Sequence, residues 1–542
     1  MKKTRFLVLA LSALMCVSCA TLPKSGDPQV FTIEAPTRDP LYQMGSGPRA
    51  DSTQIQLISD FLRACQAGAS DDYQTARQYL TATAAATWQP EAAVLIYGAD
   101  ESPEVVAPSE SEVTVSVHTK GSLDERGELS GADGSEARVG FHLEKNSEGE
   151  WRISRLDDGV LLSQPSFLTA FQAVQLYFLA PTQDSLVPDP RWYPSKRLAS
   201  HLINGLIAGP SAELNDAVYT ALNTSMMLPT QGVETGEDQI VNVDLVGSVP
   251  EGQAVRDHLA WQVTATLSQV PSTTGVSISL NGVELEPVVP PFGPRMWLDR
   301  AVGVEDGIIV VGEGESWSPL GVDTQGSVSH PGIGPASDGV VAWLSDRELV
   351  VLRDGDIAST GIITDLPPVV DRWGWVWVVP DGAKQLVAVG PRGEQAQLTN
   401  EIVDSGRLRA AAMAPDGVHL ALVSGTTGTA TVQSVLRDGR GVPVGLGAPE
   451  AQQFSGDVYD ITWAGATSLA TLTGTEEDPD VEILPLGGFV QVATGRSGAV
   501  AITGASSTSR IYLQTSDNML YSRAGALWRP LGKKVADVSF PG

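Results

Sequence analysis

From residue 51 onward the spacing of apolar positions changes several times, and each change marks a different kind of structure. Ile55, Ile58, Leu62 and Cys65 recur every three or four residues, which predicts an amphipathic helix capped by Asp51 or Ser52. A second helix is expected near residues 73–81. The period then falls to two: Val113-Val115-Val117, Val139-Phe141-Leu143 and Trp151-Ile153 alternate with polar residues, as half-buried antiparallel strands require. Helices followed by strands bury both faces most simply as a helical hairpin on a curved antiparallel sheet, so residues 51–165 are read as an α+β domain. Its acidic, Gly-rich stretch, residues 121–136, is expected to be a long exposed hairpin loop.

Residues 166–286 repeat the mixture in a different order. A strand over residues 174–178 precedes an amphipathic helix at 196–207, with Leu198, Leu202, Ile203 and Leu206 facing inward and Gly209-Pro210 ending it. A strand at 240–245, a helix through Leu259, Val263 and Leu267, and a strand at 276–280 ending in the turn Asn281-Gly282 complete a second α+β unit.

Pro287, Pro290, Pro291 and Pro294 make residues 287–294 a stiff linker, and beyond it the helix signal nearly disappears. Short apolar strands entered through Gly339, Gly374, Gly417, Gly465 and Gly498 alternate with hairpin turns near Gly355, Gly393, Gly439, Gly488 and Gly525. Val351-Leu352-Arg353-Asp354-Gly355 recurs unchanged at Val435-Leu436-Arg437-Asp438-Gly439, 84 residues later. Two periods of about 42 residues lie in the range of propeller blades. Residues 295–542 are therefore read as an all-β propeller of five to seven blades, with a pair of β-sandwiches as the alternative.

Ahead of these domains the pattern is that of an export signal. Lys2, Lys3 and Arg5 precede the apolar run of residues 6–17, which is shorter than the roughly twenty residues needed to cross a bilayer. The run ends in Cys16-Val17-Ser18-Cys19-Ala20. Small residues before a cysteine are what a lipoprotein signal peptidase accepts, so residues 1–18 are read as signal peptide and Cys19 as the lipidated first residue. A residue other than Leu three places upstream, here Cys16, departs from the usual pattern, and ordinary cleavage or an uncleaved anchor are the alternatives. Residues 19–50, interrupted by five prolines, form a tether. Only Cys65 then remains in the globular part, so no internal disulfide can form there, and its place on an apolar helix face predicts a buried thiol.

With 35 Lys and Arg against 64 Asp and Glu, the formal charge is −29, which argues against a nucleic-acid partner. No nucleophile elbow, zincin helix, phosphate loop or dinucleotide fingerprint occurs, and His118, His142, His201, His258, His330 and His419 are scattered without a metal-binding spacing. No catalytic residue, cofactor or metal is therefore expected. Asp354-Gly355-Asp356 and the acidic run Glu476 to Asp480 read as solvated turns. Arg372-Trp373-Gly374-Trp375-Val376-Trp377 either packs between blades or lines a groove for sugar or peptide.

Three resemblances add to this reading. The first domain resembles the nuclear-transport-factor-2-like (NTF2-like) fold in architecture. The second is similar to the GerMN domain through Tyr177-Phe178, Leu186-Val187-Pro188, Gly205-Leu206, Gly209-Pro210, Val243-Asp244-Leu245, residues 264–267, Val276 and Gly282. The whole arrangement, with the opening Cys19-Ala20-Thr21-Leu22-Pro23-Lys24-Ser25-Gly26-Asp27-Pro28-Gln29, resembles the LpqB lipoproteins of actinobacteria. That resemblance implies a membrane anchor on the extracytoplasmic face and an accessory role toward the MtrB sensor histidine kinase, whose response regulator is MtrA, in cell-wall homeostasis and division. A cell-wall glycan or peptide binder is the alternative.

Overall fold

The computed structural model describes residues 46–541, apart from 132–133, 287–295, 315, 325, 337–338, 400, 406–407 and 426. The opening helix, Gln54–Asp71, begins one or two residues later than a cap at Ser52 or Asp51 would place it. Thr53 caps it because Gln56 stands three residues on: the Thr53 hydroxyl accepts from the Gln56 N–H while the Gln56 side chain accepts from the Thr53 N–H. The buried face is Leu57, Ile58, Phe61, Leu62 and Cys65, which rotates Ile55 out to 43% exposure. In place of one second helix there are two short ones, Gln74–Arg77 and Ala82–Thr87.

These helices lie on a sheet ordered Trp151–Arg155, Glu136–Lys145, Glu112–Leu123, Val94–Tyr97 and Val160–Ser163. The first three pair antiparallel, as expected, but Val94–Tyr97 and Val160–Ser163 run parallel. The expected exposed loop at residues 121–136 is a correction. Gly121 to Leu123 pair with Leu129 to Gly131 as a second hairpin. At its tip Gly127 is buried and Arg126 and Glu128 half-buried where they meet the second domain, while Asp124 and Glu125 stay exposed.

That domain opens with a long hairpin, Phe171–Leu179 against Leu186–Pro194, followed by the helix Leu198–Ala208. Its sheet, Glu234–Thr235, Ile240–Leu245, Gly275–Leu280 and Val283–Leu285, has a parallel central pair joined through the helix Gln253–Leu267. Parallel neighbours need such a crossover, whereas the next pair needs only a two-residue turn. Asn281 and Gly282 supply it, with φ of 53° and 77°.

The remaining chain is a six-bladed propeller. Its blades after the first begin at Val328–Ile333, Val369–Val370, Leu408–Met413, Asp460–Trp463 and Ala499–Gly504, each followed by three further antiparallel strands. The first blade joins Arg300–Glu305, Ile308–Glu313 and Ser316–Pro319 to the last strand of the chain, Ala536–Ser539, which lies innermost and closes the ring. Every blade shares an apolar cluster with each neighbour. Strands buried on both faces explain the short, nearly continuous apolar runs. The two identical pentapeptides end the third strands of the second and fourth blades, so their spacing does span two blades.

Candidate functional site

Cys19 lies outside the described residues. Cys65 is buried at the middle of the first helix, and burial, with Asp71 adding to it, drives its thiol well above the ordinary range. The histidines stand apart: His118 meets Glu101 at 3.0 Å, His142 lies 3.8 Å from Glu112, His201 stacks on Tyr193, and His330 lies 3.9 Å from Asp537. Among the described residues no three His, Cys, Asp or Glu side chains cluster as metal ligands would. Asp354 and Asp356 flank a hairpin turn, and Glu476 to Asp478 are exposed. Trp375 and Trp377 take the packing alternative, filling the space between the third and fourth blades beside Met413, Leu420 and Leu422. The Trp377 Nε1–H donates to Asp371 at 2.9 Å.

What the structure does bring together is a seam at which all three domains meet. The hairpin of the first domain carries Arg126, whose guanidinium donates to the carbonyls of Gly209 and Pro210 at 3.0 and 2.6 Å. Next to it, Gly127 has φ of 78°, and its carbonyl accepts from the Trp192 N–H at 2.9 Å. A Cβ at Gly127 would stand 2.7 Å from the Trp192 carbonyl, so both the left-handed turn and the close approach require glycine. Tyr193 closes the contact, its hydroxyl donating to the Arg126 carbonyl at 3.0 Å.

Beneath this clamp, Arg191 and Asp189 form a buried bidentate pair, 3% and 1% exposed. Asp189 also accepts the Ser211 N–H at 2.8 Å, and Arg191 reaches Glu128 of the first domain at 3.2 Å. The propeller enters through Phe489, which meets Phe167 edge-on with ring centres 6.1 Å apart and lies beside Trp192. The Trp192 Nε1–H donates to the Gly487 carbonyl at 2.6 Å. Val418 of the fourth blade belongs to the apolar core of the second domain, and the Ser434 hydroxyl donates to the Glu213 carbonyl at 2.8 Å.

Between these contacts lies a cavity of about 400 Å³, with Glu128, Glu213, His419, Glu450, Gln453 and Phe489 on its walls. His419 contacts Asp416 through Nδ1 at 2.7 Å, and the other Asp416 oxygen accepts the N–H groups of Val418 and His419. Burial opposes the imidazolium, but Asp416, Glu213 and Asp189 outweigh it and carry its pKa to about 9. Glu213 is pushed up by burial, pulled back by His419, and raised again by Glu450 and Asp189, to about 7. The cavity therefore holds one carboxyl, Glu213, whose burial and acidic neighbours favour its neutral form, beside the imidazolium of His419. Sequence reasoning named His419 only as one of six scattered histidines and did not single out the other residues of this site, because the seam is assembled from three domains far apart in the chain. The available signals were an arginine followed by glycine within an acidic stretch, at Arg126-Gly127, and a lone aromatic after two glycines, at Phe489.

Family comparison follows the same three-part division. Residues 47–168 match the model for "Lipoprotein LpqB, N-terminal domain", 175–286 match "Sporulation and spore germination", and 314–541 match "Lipoprotein LpqB beta-propeller domain". The chain is 27% identical to Lipoprotein LpqB of Rhodococcus opacus over 96% of its own length and 85% of the relative's. It is 25% identical to Lipoprotein LpqB of Mycobacterium tuberculosis over 99% of its own length and 98% of the relative's. Among solved structures, TolB from Acinetobacter baumannii aligns over 55% of this chain and 74% of that one at 15% identity, with a TM-score of 0.35, too low to bear on function. No helix among the described residues is long and apolar enough to cross a membrane.

Proposed function

The chain belongs to the LpqB lipoprotein family, and from that premise we propose that it is a non-enzymatic accessory protein, anchored through Cys19 on the extracytoplasmic face of the cell membrane, that binds and modulates an MtrB-like sensor histidine kinase. The processes served are cell-wall homeostasis and division. The supporting observation is the seam: its buried ion pair, hairpin clamp and aromatic plug tie three folds together, and the polar groups in it are spent on holding domains. A body of this kind presents fixed outer surfaces, which suits recognition of a partner. Lipid anchoring would confine it near a membrane-embedded kinase and make encounter effectively intramolecular.

The test is a titration of the purified protein onto the extracytoplasmic domain of the kinase, together with fractionation of cells carrying Cys19→Ala. The wild type should bind at micromolar concentration, and the variant should leave the membrane fraction and lose its effect on response-regulator phosphorylation. Absence of binding at high micromolar concentration would remove the kinase from the account. Membrane retention of Cys19→Ala would remove the anchor.

A second reading, binding of a cell-wall glycan or peptide, is supported by the polar, aromatic-edged cavity at the seam. It no longer draws on Trp375 and Trp377, which are buried. Quenching of Trp192 fluorescence by soluble wall fragments, abolished in Glu450→Gln, is the outcome this reading requires.

A further inference from the structure

A second cavity, of about 240 Å³, opens on the propeller between the second and third blades. Its floor is the turn Asp371-Arg372-Trp373-Gly374, and its sides come from Ala336, Val340, Arg353 and Pro391. The repeated pentapeptides explain part of its chemistry. Arg353, the arginine of the first copy, donates to the carbonyls of Gly374 and Val389 at 2.5 and 3.2 Å, while its Nε–H is buried without a partner. Arg437, the arginine of the second copy, pairs with Asp371 at 2.5 Å with both side chains fully buried, and lies over the Trp373 ring at 4.4 Å.

Arg372 is different. It is 9% exposed, its Nε is buried without a hydrogen bond, and among the described residues it makes no ion pair within bonding distance. Its neighbour Trp373 also holds a buried indole N–H with no acceptor. Buried guanidinium groups are ordinarily matched by an acceptor, because desolvation of an unpaired charge is costly. Burial lowers the Arg372 pKa, and the more distant Asp184, Asp416 and Asp371 offset this only in part. Asp371 is already engaged by Arg437 and by the N–H groups of Trp373, Trp375 and Trp377. Arg353 and Arg372 on the walls of this cavity thus each keep a buried Nε–H with no acceptor, beside the unmet indole N–H of Trp373.

We propose that this cavity binds a monocarboxylate, held by Arg372 and Arg353, with a small apolar group attached to it covered by Ala336, Val340, Trp373 and Pro391. A carboxylate offers the acceptors these donors lack, while Asp354 and Asp371 on the same walls disfavour a phosphate dianion. The planar fork of arginine suits two carboxylate oxygens. A peptide carboxy terminus bearing a small side chain has the required chemistry. This inference stands apart from the kinase reading and would survive its failure.

The experiment is calorimetric titration of the full chain in detergent with N-acetyl-alanyl-alanine, with its carboxy-terminal amide and with inorganic phosphate, at constant ionic strength. The free acid should bind one to one and raise Tm progressively, with the amide weaker by about tenfold or more. Arg372→Met keeps the aliphatic stem and removes an unpaired buried charge, so it should fold and lose the response. Arg353→Met should weaken it. Arg372→Lys, which keeps the charge and loses the fork, guards against a folding failure of the methionine variant and should also bind more weakly. The proposal is overturned if the acid does not bind up to about 10 mM, if acid and amide bind alike, or if either Arg372 variant binds as the wild type does. Tighter binding of phosphate than of the acid would overturn the charge argument.

Discussion

The proton that Glu213 retains at the three-domain seam should make the stability of this protein fall as pH rises from about 4.5 through 7, and Glu213→Gln should remove that fall. Glu213 ionises at about 7 in the folded chain against 4.5 for the free side chain. Its folded pKa is raised, so the neutral form favours folding; the stabilisation is full below 4.5 and is lost as pH climbs through 7. At about 1.36 kcal/mol per unit, the whole interval corresponds to ~3 kcal/mol. Glu450, which contributes to the rise, is exposed, so solvent screens its part and ~2 kcal/mol is the expected loss. Urea unfolding followed by tryptophan emission at pH 4.5 and pH 8 measures it. The gap between wild type and Glu213→Gln should change by about that amount between the two pH values, while the midpoint slopes stay equal. A gap constant to within about 0.5 kcal/mol would refute the reasoning, since it would mean that Glu213 ionises in the folded protein as it does in the open chain.

Three further outcomes follow from the same geometry. His419 has its folded pKa raised to about 9, so the stabilisation it draws from Asp416 is full below 6.5 and disappears as pH rises through 9; the stability difference between wild type and His419→Gln should shrink across that interval in thermal melts. Asp189→Ala would strip Arg191, 3% exposed, of its bidentate partner, leaving it only Glu128 at 3.2 Å, and would leave the Ser211 N–H without its acceptor, and should cost about 3 kcal/mol in urea unfolding. Phe489→Ala removes the aromatic plug while leaving the blade cores intact, so it should cost about 2 kcal/mol, less than a fully buried phenylalanine. Faster hydrogen exchange should then appear at Trp192 and Phe167 but not at Val481 or Ile483.

How far the sequence revealed this molecule depended on the range of the interactions involved. The helix ending at Ala208 and the strand Ile240–Leu245 could be read directly because their apolar faces recur at short, regular spacing, and the propeller could be read because an identical pentapeptide marks the second and fourth blades. The helix cap was placed one or two residues early because three polar candidates, Asp51, Ser52 and Thr53, stand together and only the reciprocal bond from Gln56 chooses among them. The parallel pairs escaped detection, since alternation reports which face is buried and not strand direction. The seam was hidden for a different reason. Trp192 meets Gly487 across 295 residues and Ser434 meets Glu213 across 221, so no local period can encode either contact. Arg372 opens the aromatic run that ends at Trp377, but nothing there marked it as lacking a partner, because a buried unpaired cation and an exposed one look the same in sequence.

The charge balance explains why the seam has to be built as it is. A chain with formal charge −29 repels itself, and domains brought together within it must offset that repulsion. The scarce cations are placed where domains meet: Arg126 and Arg191 under the clamp, and Lys196 and Arg197 of the second domain on Asp72 of the first at 2.8 and 3.2 Å. The outer pair is solvent-exposed and weakens as salt screens it, within a Debye length of about 8 Å at physiological ionic strength. Arg191 is sealed from that screening, so the junction holds when its outer contacts loosen. An anchored protein held together in this way can move as one body over the membrane surface, and a partner that grips any one of its domains then acts on all three.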